Sequence, residues 1–196
     1  MSDNLIVRFQ SIVEPLPLGS LFAVERPLEI ELGAGDGSFL AAYAQANRET
    51  NFIGVERLLG RLRKIDKKAR RAGLDNVRLL RIEAEYFTRY LIPPGSARAV
   101  HIYFPDPWPK RKHWKNRLID SEFVDILARV LKPEGMVFLR TDDRPYFEQM
   151  LASFTGKTTF QKMETPPELQ AFITDFERGF HARGVSTLHA AYRRVR

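Results

Sequence analysis

Short apolar runs alternate with longer amphipathic stretches from residue 28 onward, and this alternation is the feature that most restricts the fold. The apolar runs have the length of strands, and the amphipathic stretches have the period of helices. We expect strands at 28–32, 51–56, 76–84, 96–104 and 136–141. We expect helices at 38–46, 58–73, 120–135 and 144–154, with a short helical piece at 86–90. Strands alternating with helices predict a doubly wound α/β fold, a mostly parallel sheet with helices on both faces.

The two ends of the chain lack this regular pattern. Residues 1–27 contain apolar side chains interrupted by prolines and a glycine, which is typical of an arm packed on the domain. We expect residues 28–196 to form a single domain, because a chain of 196 residues leaves no room for a second full one. The tail, from about residue 158, is expected to add one or two strands, with 184–194 the best candidate.

Composition limits the environment and the partners. The chain contains no cysteine, which excludes disulfides, Cys-ligated zinc and thiol nucleophiles and suits a reducing cytosol. No apolar run approaches the roughly 20 residues of a membrane span, so we expect a soluble, cytoplasmic protein that does not act at membranes. The four histidines have no metal-ligand spacing, and we expect no metal site. The net charge of +7 attracts polyanions and, if clustered, indicates nucleic acid.

The turn after the first expected strand reads E-L-G-A-G-D-G at 31–37. In a doubly wound fold the ligand lies outside the carboxyl ends of the strands, and Gly33 and Gly35 let the backbone approach it closely. Glu56, which ends the second strand, is placed to accept hydrogen bonds from a ribose diol. The spacing differs from the G-x-G-x-x-G of dinucleotide sites. With Glu31 it resembles motif I of class I S-adenosylmethionine (SAM) methyltransferases, which have a Rossmann-like fold. Glu83 is either a contact for the adenine amino group or a solvated glutamate.

A single carboxylate, Asp106, follows the fourth expected strand between two prolines. Residues at this position lie beside the reactive end of a cofactor in this topology. Pro105 and Pro107 disfavour helical conformations in the residues before them, so we expect Phe104 and Asp106 to be extended. A stiff backbone suits a carboxylate that must meet a substrate atom accurately.

Positive charge is clustered in two segments. Basic side chains interleaved with aromatic rings follow Asp106, and this combination is typical of binding to unpaired nucleic acid. The residues are Trp108, Lys110, Arg111, Lys112, His113, Trp114, Lys115 and Arg117. The second expected helix carries a basic stripe at 4-3-4-3 spacing beside its apolar stripe. That stripe consists of Arg57, Arg61, Lys64, Lys68 and Arg71. The clustering favours nucleic acid over a generally basic enzyme.

Five motifs together resemble the bacterial tRNA (guanine-N7-)-methyltransferase family over about residues 28–194. They are E-x-G-x-G-x-G, GVE at 54–56, FPDPWPK at 104–110, Thr-Asp at 141–142 and TDFE at 174–177. The resemblance implies methyl transfer from SAM to guanine N7 in tRNA, at position 46 of the variable loop. It implies cofactor contacts from Glu31, Glu56, Glu83 and Asp106. It implies substrate contacts from Lys110, Asp142, Thr174, Asp175, Phe176 and Glu177. It implies RNA contacts from Lys112, His113, Trp114, Lys115, Asn116 and Arg117. The chain departs from the family in having Glu83 where Asp is usual and in its short N-terminal arm.

The chemistry that this resemblance implies needs no general base, because neutral guanine already carries a lone pair on N7. Asp106 is therefore expected to position the reactants and to stabilise charge. One of Asp106, Asp142 and Glu177 is expected to accept hydrogen bonds from the guanine N1 and N2 groups. Two alternatives remain: a catalytically silent RNA-binding domain on the same fold, and a SAM-dependent methyltransferase of another substrate. The sequence requires no protein partner and is compatible with a monomer or a homodimer.

Overall fold

A computed structural model describes residues 4–196. Its strands, in chain order, are β1 (Ile6–Val7), β2 (Leu28–Leu32), β3 (Asn51–Val55), β4 (Val77–Leu80), β5 (Ala97–Tyr103), β6 (Leu131–Thr141), β7 (Phe160–Met163) and β8 (Leu188–Arg194). Its α-helices are α1 (Leu18–Leu21), α2 (Ser38–Ala46), α3 (Leu59–Arg71), α4 (Ala84–Tyr86), α5 (Ser121–Val130), α6 (Arg144–Phe154), α7 (Pro167–Gln170) and α8 (Asp175–His181). A π-helical turn (Phe87–Leu91) follows α4, and a 3₁₀ helix (Arg111–Asn116) follows β5.

All eight strands belong to one sheet, in the order β1-β4-β3-β2-β5-β6-β8-β7. The pairs from β1 through β6 are parallel, whereas β8 runs antiparallel to both β6 and β7. The order reverses between β2 and β5, because β3 and β4 extend the sheet in one direction and β5 and β6 extend it in the other. A ligand crevice forms at the carboxyl ends of strands at such a reversal.

Helices cover both faces of the sheet. On one face α2 and α3 pack against β3 and β4, through residues such as Leu40, Ile65 and Leu79. On the other face α5, α6 and the π-helical turn pack against the central strands, through residues such as Phe123, Met150 and Ile30. The near-continuous burial of β2, β3 and β5 follows from this double cover and explains why their sequences are apolar runs.

The expected doubly wound α/β fold is therefore confirmed, with differences at element ends. The expected helix at 120–135 ends at Val130, and β6 begins at once at Leu131, five residues before the predicted strand. The expected helix at 38–46 is present with the same bounds, and Gly37 is its N-cap. The tail, expected to add one or two strands, adds two, β7 and β8, and β8 lies within the candidate segment 184–194.

The N-terminal segment contributes more than a packed arm. Its strand β1 pairs in parallel with β4 and so forms one edge of the sheet. The amide of Leu5 also donates to the Asp66 carboxylate on α3 at 3.0 Å. The first three residues lie outside the described part of the chain. Across residues 4–196, no helix is long and apolar enough to cross a membrane.

Candidate active site

A cavity of about 570 Å³ lies at the carboxyl ends of the strands, where the strand order reverses. Segments that are far apart in sequence line it. They contribute the predicted residues Glu31, Gly33, Gly35, Glu56, Glu83, Asp106, Asn116, Asp142, Thr174 and Phe176. The fold thus brings ten of the predicted site residues to one cavity.

Residues 33–36 of the glycine turn line this cavity, and backbone conformation and packing both favour glycine in the turn. Gly33, Gly35 and Gly37 all have positive φ, between 56° and 79°, a region that glycine enters without strain. A Cβ atom on Gly37 would lie 2.7 Å from the Ile65 side chain on α3. The close approach of turn and helix therefore requires glycine at 37.

Glu31 is a buried carboxylate that faces the cavity and is incompletely paired. Its side chain is 4% exposed, and its Oε2 atom has no hydrogen-bond partner among residues 4–196. Burial raises the Glu31 pKa to about 8, with smaller contributions from Asp36 and Glu56, while Arg140 acts in the opposite direction. A buried carboxyl group of this kind is suited to receive a cationic ligand group such as an ammonium.

Glu56 and Glu83 both accept hydrogen bonds from backbone amides. Glu56 is buried and accepts from the Gly35 amide at 3.1 Å and from the Leu58 amide at 2.8 Å. Glu83 is exposed and caps α4, accepting from two backbone amides at 2.9 and 2.7 Å. Each carboxylate oxygen retains a second lone pair for a ligand hydroxyl or amino group.

A chain of polar contacts connects three elements around the glycine turn. The Lys68 ammonium on α3 donates to Asp36 at 2.9 Å, and the Ser38 hydroxyl donates to the same carboxylate at 2.8 Å. Ser38 Oγ in turn accepts from the amide of Asp175 at the start of α8. Burial tends to raise the Asp36 pKa, but the hydrogen bonds, that from Lys68 the strongest, lower it overall. Neither Asp36 nor Ser38 was among the site residues predicted from the sequence.

The backbone around Asp106 is strained, in a manner the sequence did not predict. Phe104 was expected to be extended, but its φ is +51°, and Trp108, which also precedes a proline, has a φ of +45°. Bulky residues in this region cost about 1–3 kcal/mol each and persist only where surrounding contacts impose them. Phe104 is held because its amide donates to the Arg140 carbonyl at 2.8 Å and its ring packs on Phe180. Asp106 lies exposed at the cavity, between the two strained residues.

The segment after Asp106 separates into an exposed surface and a buried anchor. Lys110, Arg111, Lys112, Trp114, Lys115 and Asn116 are exposed, and His113 is half-buried and stacks on Trp108. Arg117 differs: it was predicted to contact RNA, but its side chain is only 1% exposed. Its guanidinium donates to the Pro107 carbonyl at 2.8 Å and to the Gln149 side chain at 2.7 Å. Arg117 therefore braces the loop instead of lying on its outer surface.

The predicted substrate motif at 174–177 begins α8 and divides in a similar way. Thr174 and Glu177 form a capping box and are both buried. Asp175 and Phe176 are exposed, and the Phe176 ring lies 3.7 Å from the position of a Cβ atom on Gly35, at the cavity mouth. The prediction that Glu177 contacts substrate is not supported by this geometry, because its carboxylate is turned inward and does not line the cavity.

Glu177 instead pairs with Arg140, a residue that was not predicted from the sequence. The Arg140 side chain is 1% exposed and lies 3.1 Å from the Glu177 carboxylate. It also donates to the carbonyls of Phe172 and Leu169, at 2.7 and 2.6 Å. Arg140 thus fastens the segment from α7 to α8 onto β6. The only sequence signal was a lone arginine within an apolar strand.

His101, by contrast, has the structural role expected of a core histidine. It is 1% exposed, with its ring nitrogens 2.8 Å from the Glu29 carboxylate and 2.8 Å from the Tyr103 hydroxyl. Arg98 also donates to Glu29. Burial tends to raise the pKa of Glu29, but hydrogen bonding to His101 and Arg98 lowers it overall.

Comparison with known proteins places the chain among methyltransferases. Residues 25–190 match a family model described as "Putative methyltransferase". A tRNA (guanine-N(7)-)-methyltransferase of Streptococcus thermophilus (strain CNRZ 1066) is 36% identical over 169 residues, which are 84% of this chain and 79% of that protein. A protein of the same name from Thermotoga maritima is 32% identical over 183 residues; the match covers 93% of this chain but only 58% of that relative.

Solved structures support the fold. The crystal structure of the 16S rRNA methyltransferase KamB superposes with a TM-score of 0.66 and 15% sequence identity, covering 93% of this chain and 95% of that one. At this identity the similarity concerns the fold alone.

Proposed function

The chain belongs to the tRNA (guanine-N7-)-methyltransferase family, and from this premise we propose that it transfers a methyl group from SAM to N7 of a guanine in tRNA. The observation that carries the proposal is the convergence of separate carboxylates on one cavity. Glu31, Glu56 and Asp106 come from three different strand ends, and an exposed cationic and aromatic segment follows Asp106 directly. We further propose position 46 of the variable loop as the target, and a cytoplasmic enzyme that acts as a monomer or homodimer without another protein.

The residues that line the cavity fit SAM. Glu31 offers a buried, unpartnered carboxylate oxygen to an ammonium group. Gly33 and Gly35 leave room at the turn for a ligand to approach the backbone. Glu56 and Glu83 retain lone pairs for hydroxyl and amino groups. When bound, SAM supplies an electrophilic methyl group on a sulfonium.

The chain's own residues have little proton chemistry to perform. Guanine N7 attacks with a lone pair that it already carries, so no side chain must remove a proton first. What the protein supplies is placement of the base and tolerance of the positive charge that arrives on the purine. We assign both the placement of the base and the stabilisation of its charge to Asp106, which lines the cavity. Its loop is held by hydrogen bonds from Arg117 to the Pro107 carbonyl and from the Phe104 amide to the Arg140 carbonyl.

Recognition of guanine requires acceptors for its N1 and N2 hydrogens, on the edge opposite N7. Asp106 and Asp142 line the cavity and have carboxylates that can accept both, which would contribute about 1–3 kcal/mol of base discrimination. Glu177, the third candidate from the sequence, is buried in an ion pair with Arg140. We therefore assign the edge contact to Asp106 or Asp142.

We expect the exposed residues of 110–116 to bind tRNA nucleotides near the target guanine. Lysine and arginine side chains there suit phosphates, and the exposed rings of Trp108 and Trp114 suit bases drawn out of a stack. The other residues of this segment that we propose to contact tRNA are Lys110, Lys112, His113, Lys115 and Asn116. Asp175 and Phe176 are exposed, Phe176 lines the cavity, and we propose that both contact the substrate there.

The decisive experiment is incubation of the protein with labelled SAM and unmodified tRNA, followed by mapping of the methylated nucleotide. We expect label at guanine N7, with loss of labelling when position 46 is changed to another base. Asp106→Asn and Asp142→Asn should each be compared with wild type for turnover and guanine selectivity. Label on another base or on protein would overturn the assignment, and normal behaviour of both variants would overturn the proposed edge contact.

A catalytically silent RNA-binding domain is the second candidate. It is disfavoured because a binding domain does not need a buried, unpartnered carboxylate such as Glu31, which destabilises a protein unless a ligand uses it. Calorimetric titration with SAM separates the two candidates, since only the enzyme should bind it.

A further inference from the structure

Helix α3 carries a cationic surface that the chemistry at the cavity does not use. We call this surface the α3 cationic face. It consists of the exposed side chain of Arg57, two residues before the helix, and of those of Arg61, Arg63, Lys64, Lys67 and Arg71. Arg61 lies 3.9 Å from Glu56. Within the part of the chain that the structure describes, the other five make no ion pair with an acidic side chain.

The structure separates this face from the other basic residues of the same helix. Lys68, part of the stripe expected from the sequence, donates a hydrogen bond to Asp36, which lines the cavity. Arg70 pairs with Asp66, the only acidic residue in α3. The inner side, with Leu62 and Ile65, packs on the sheet. Nearly the whole solvent-facing side of the helix is therefore cationic.

Repulsion between the like charges of this face destabilises the folded protein. Like charges three or four residues apart on a helix, such as Arg63 with Lys67 and Lys67 with Arg71, repel each other by about 0.2–0.5 kcal/mol per pair. No acidic side chain on the outer side of α3 offsets this repulsion. A polyanion that displaces counterions from the face would remove it.

The position of α3 indicates which polyanion this is. Arg57, just before the helix, and Arg61, in its first turn, line the cavity itself. From there the 13 residues of α3 extend the positive charge by about 20 Å along the flank of the molecule. The α3 cationic face therefore begins at the cavity in which a nucleotide of the substrate would be bound.

The α3 cationic face and the exposed residues of 110–116 lie on opposite sides of the cavity. α3 follows β3, and the 3₁₀ helix follows β5, while β2 lies between those strands. Two strand spacings separate the starting points by about 10 Å. We infer that the α3 cationic face binds the sugar-phosphate backbone of the substrate tRNA on the side of the cavity away from the 110–116 segment. This inference rests on the proposed function.

The test removes three charges from the face and three from a distant control surface. The test variant is Lys64→Gln, Lys67→Gln and Arg71→Gln, and the control is Lys132→Gln, Lys162→Gln and Arg196→Gln. All six side chains are exposed. Both variants reduce the net charge of +7 by the same amount. Glutamine has nearly the helix propensity of lysine and arginine, so α3 should be retained in the test variant.

The readouts are tRNA affinity as a function of salt, and KM and kcat for methylation. Three lost phosphate contacts should reduce the slope of log K against log salt by about 2 to 3 and weaken tRNA binding about tenfold or more at 0.1 M salt. The loss should appear in KM for tRNA more than in kcat. The control should keep the wild-type slope and KM.

Two results would overturn the inference: a test variant with the slope and KM of wild type, or equal losses in both variants, which would reflect net charge alone. Thermal unfolding and SAM titration of each variant identify a folding defect. A wild-type protein that binds tRNA without methylating it, or methylates another molecule, would refute the proposed function and leave the α3 measurement readable. Single variants at Lys64 and Lys67 keep the test possible if the triple variant does not fold.

Discussion

Replacing Glu31 with glutamine should stabilise the ligand-free protein while weakening its binding of SAM. Burial raises the pKa of Glu31 from 4.5 to about 8. Between these two values the folded protein holds a proton that the unfolded chain has released, so the stability of the wild type falls as pH rises. Glutamine is neutral at every pH and has nearly the same shape, so it avoids this loss.

The stability gained by Glu31→Gln follows from the difference between the pKa values of Glu31 in the unfolded and folded protein. Each pKa unit corresponds to about 1.4 kcal/mol, so the advantage of Glu31→Gln should be about 3 kcal/mol at pH 7 and about 5 kcal/mol above pH 8. At pH 5 it should be below about 1 kcal/mol. The unpartnered Oε2 position costs a similar amount in both proteins, because neither an amide nor a protonated carboxyl finds a partner there.

Urea denaturation of wild type and Glu31→Gln at pH 5, 7 and 8.5, without SAM, measures this difference. Asp106→Asn is the matched control, because it removes a carboxylate that is exposed to water, and we expect no comparable gain. A difference that does not change with pH, or a variant less stable than wild type at pH 8.5, would refute the reasoning.

The same residue links SAM binding to a proton. An ammonium beside Glu31 favours the ionised carboxylate, so binding below pH 8 should release a proton from the wild type. Calorimetric titration in two buffers of different ionisation enthalpy measures that release. Glu31→Gln should release no such proton, and an equal release in both proteins would exclude Glu31 as its source.

Two further substitutions test the packing around the site by chemical denaturation. Gly37→Ala should lower the free energy of unfolding by about 1–3 kcal/mol more than Gly73→Ala. Both glycines have positive φ, but of the two only Gly37 lies against another side chain. Equal losses would show that φ alone matters. Arg140→Gln should cost about 3–5 kcal/mol by leaving the Glu177 carboxylate buried and unpaired. The double variant Arg140→Met with Glu177→Met should regain part of that loss, and a double variant no more stable than Arg140→Gln would contradict the buried-charge explanation.

Local patterns were sufficient to predict most elements of the fold. The apolar runs that became β2, β3 and β5 are buried on both faces, so their sequences carry the signal of a parallel sheet. Glycines at 33, 35 and 37 indicated a turn that a ligand can approach, and the structure uses positive φ at each. Element ends were less predictable, as at Val130, where helix passes directly into strand.

The sequence alone determined the ligand-facing turn, the position of Asp106 after a central strand and the clustering of positive charge. The tertiary structure decided which of the charged residues face the cavity or solvent and which are internal. Arg117 and Glu177 looked like surface residues but are braces, since their partners Gln149 and Arg140 lie 32 and 37 residues away. Lys68, predicted to belong to the basic stripe, donates a hydrogen bond to Asp36 instead. The pKa of Glu31 is raised because folding of the sheet removes its carboxyl group from water. Spacing along a chain specifies local geometry, whereas pairing and burial depend on contacts that form only when distant segments meet.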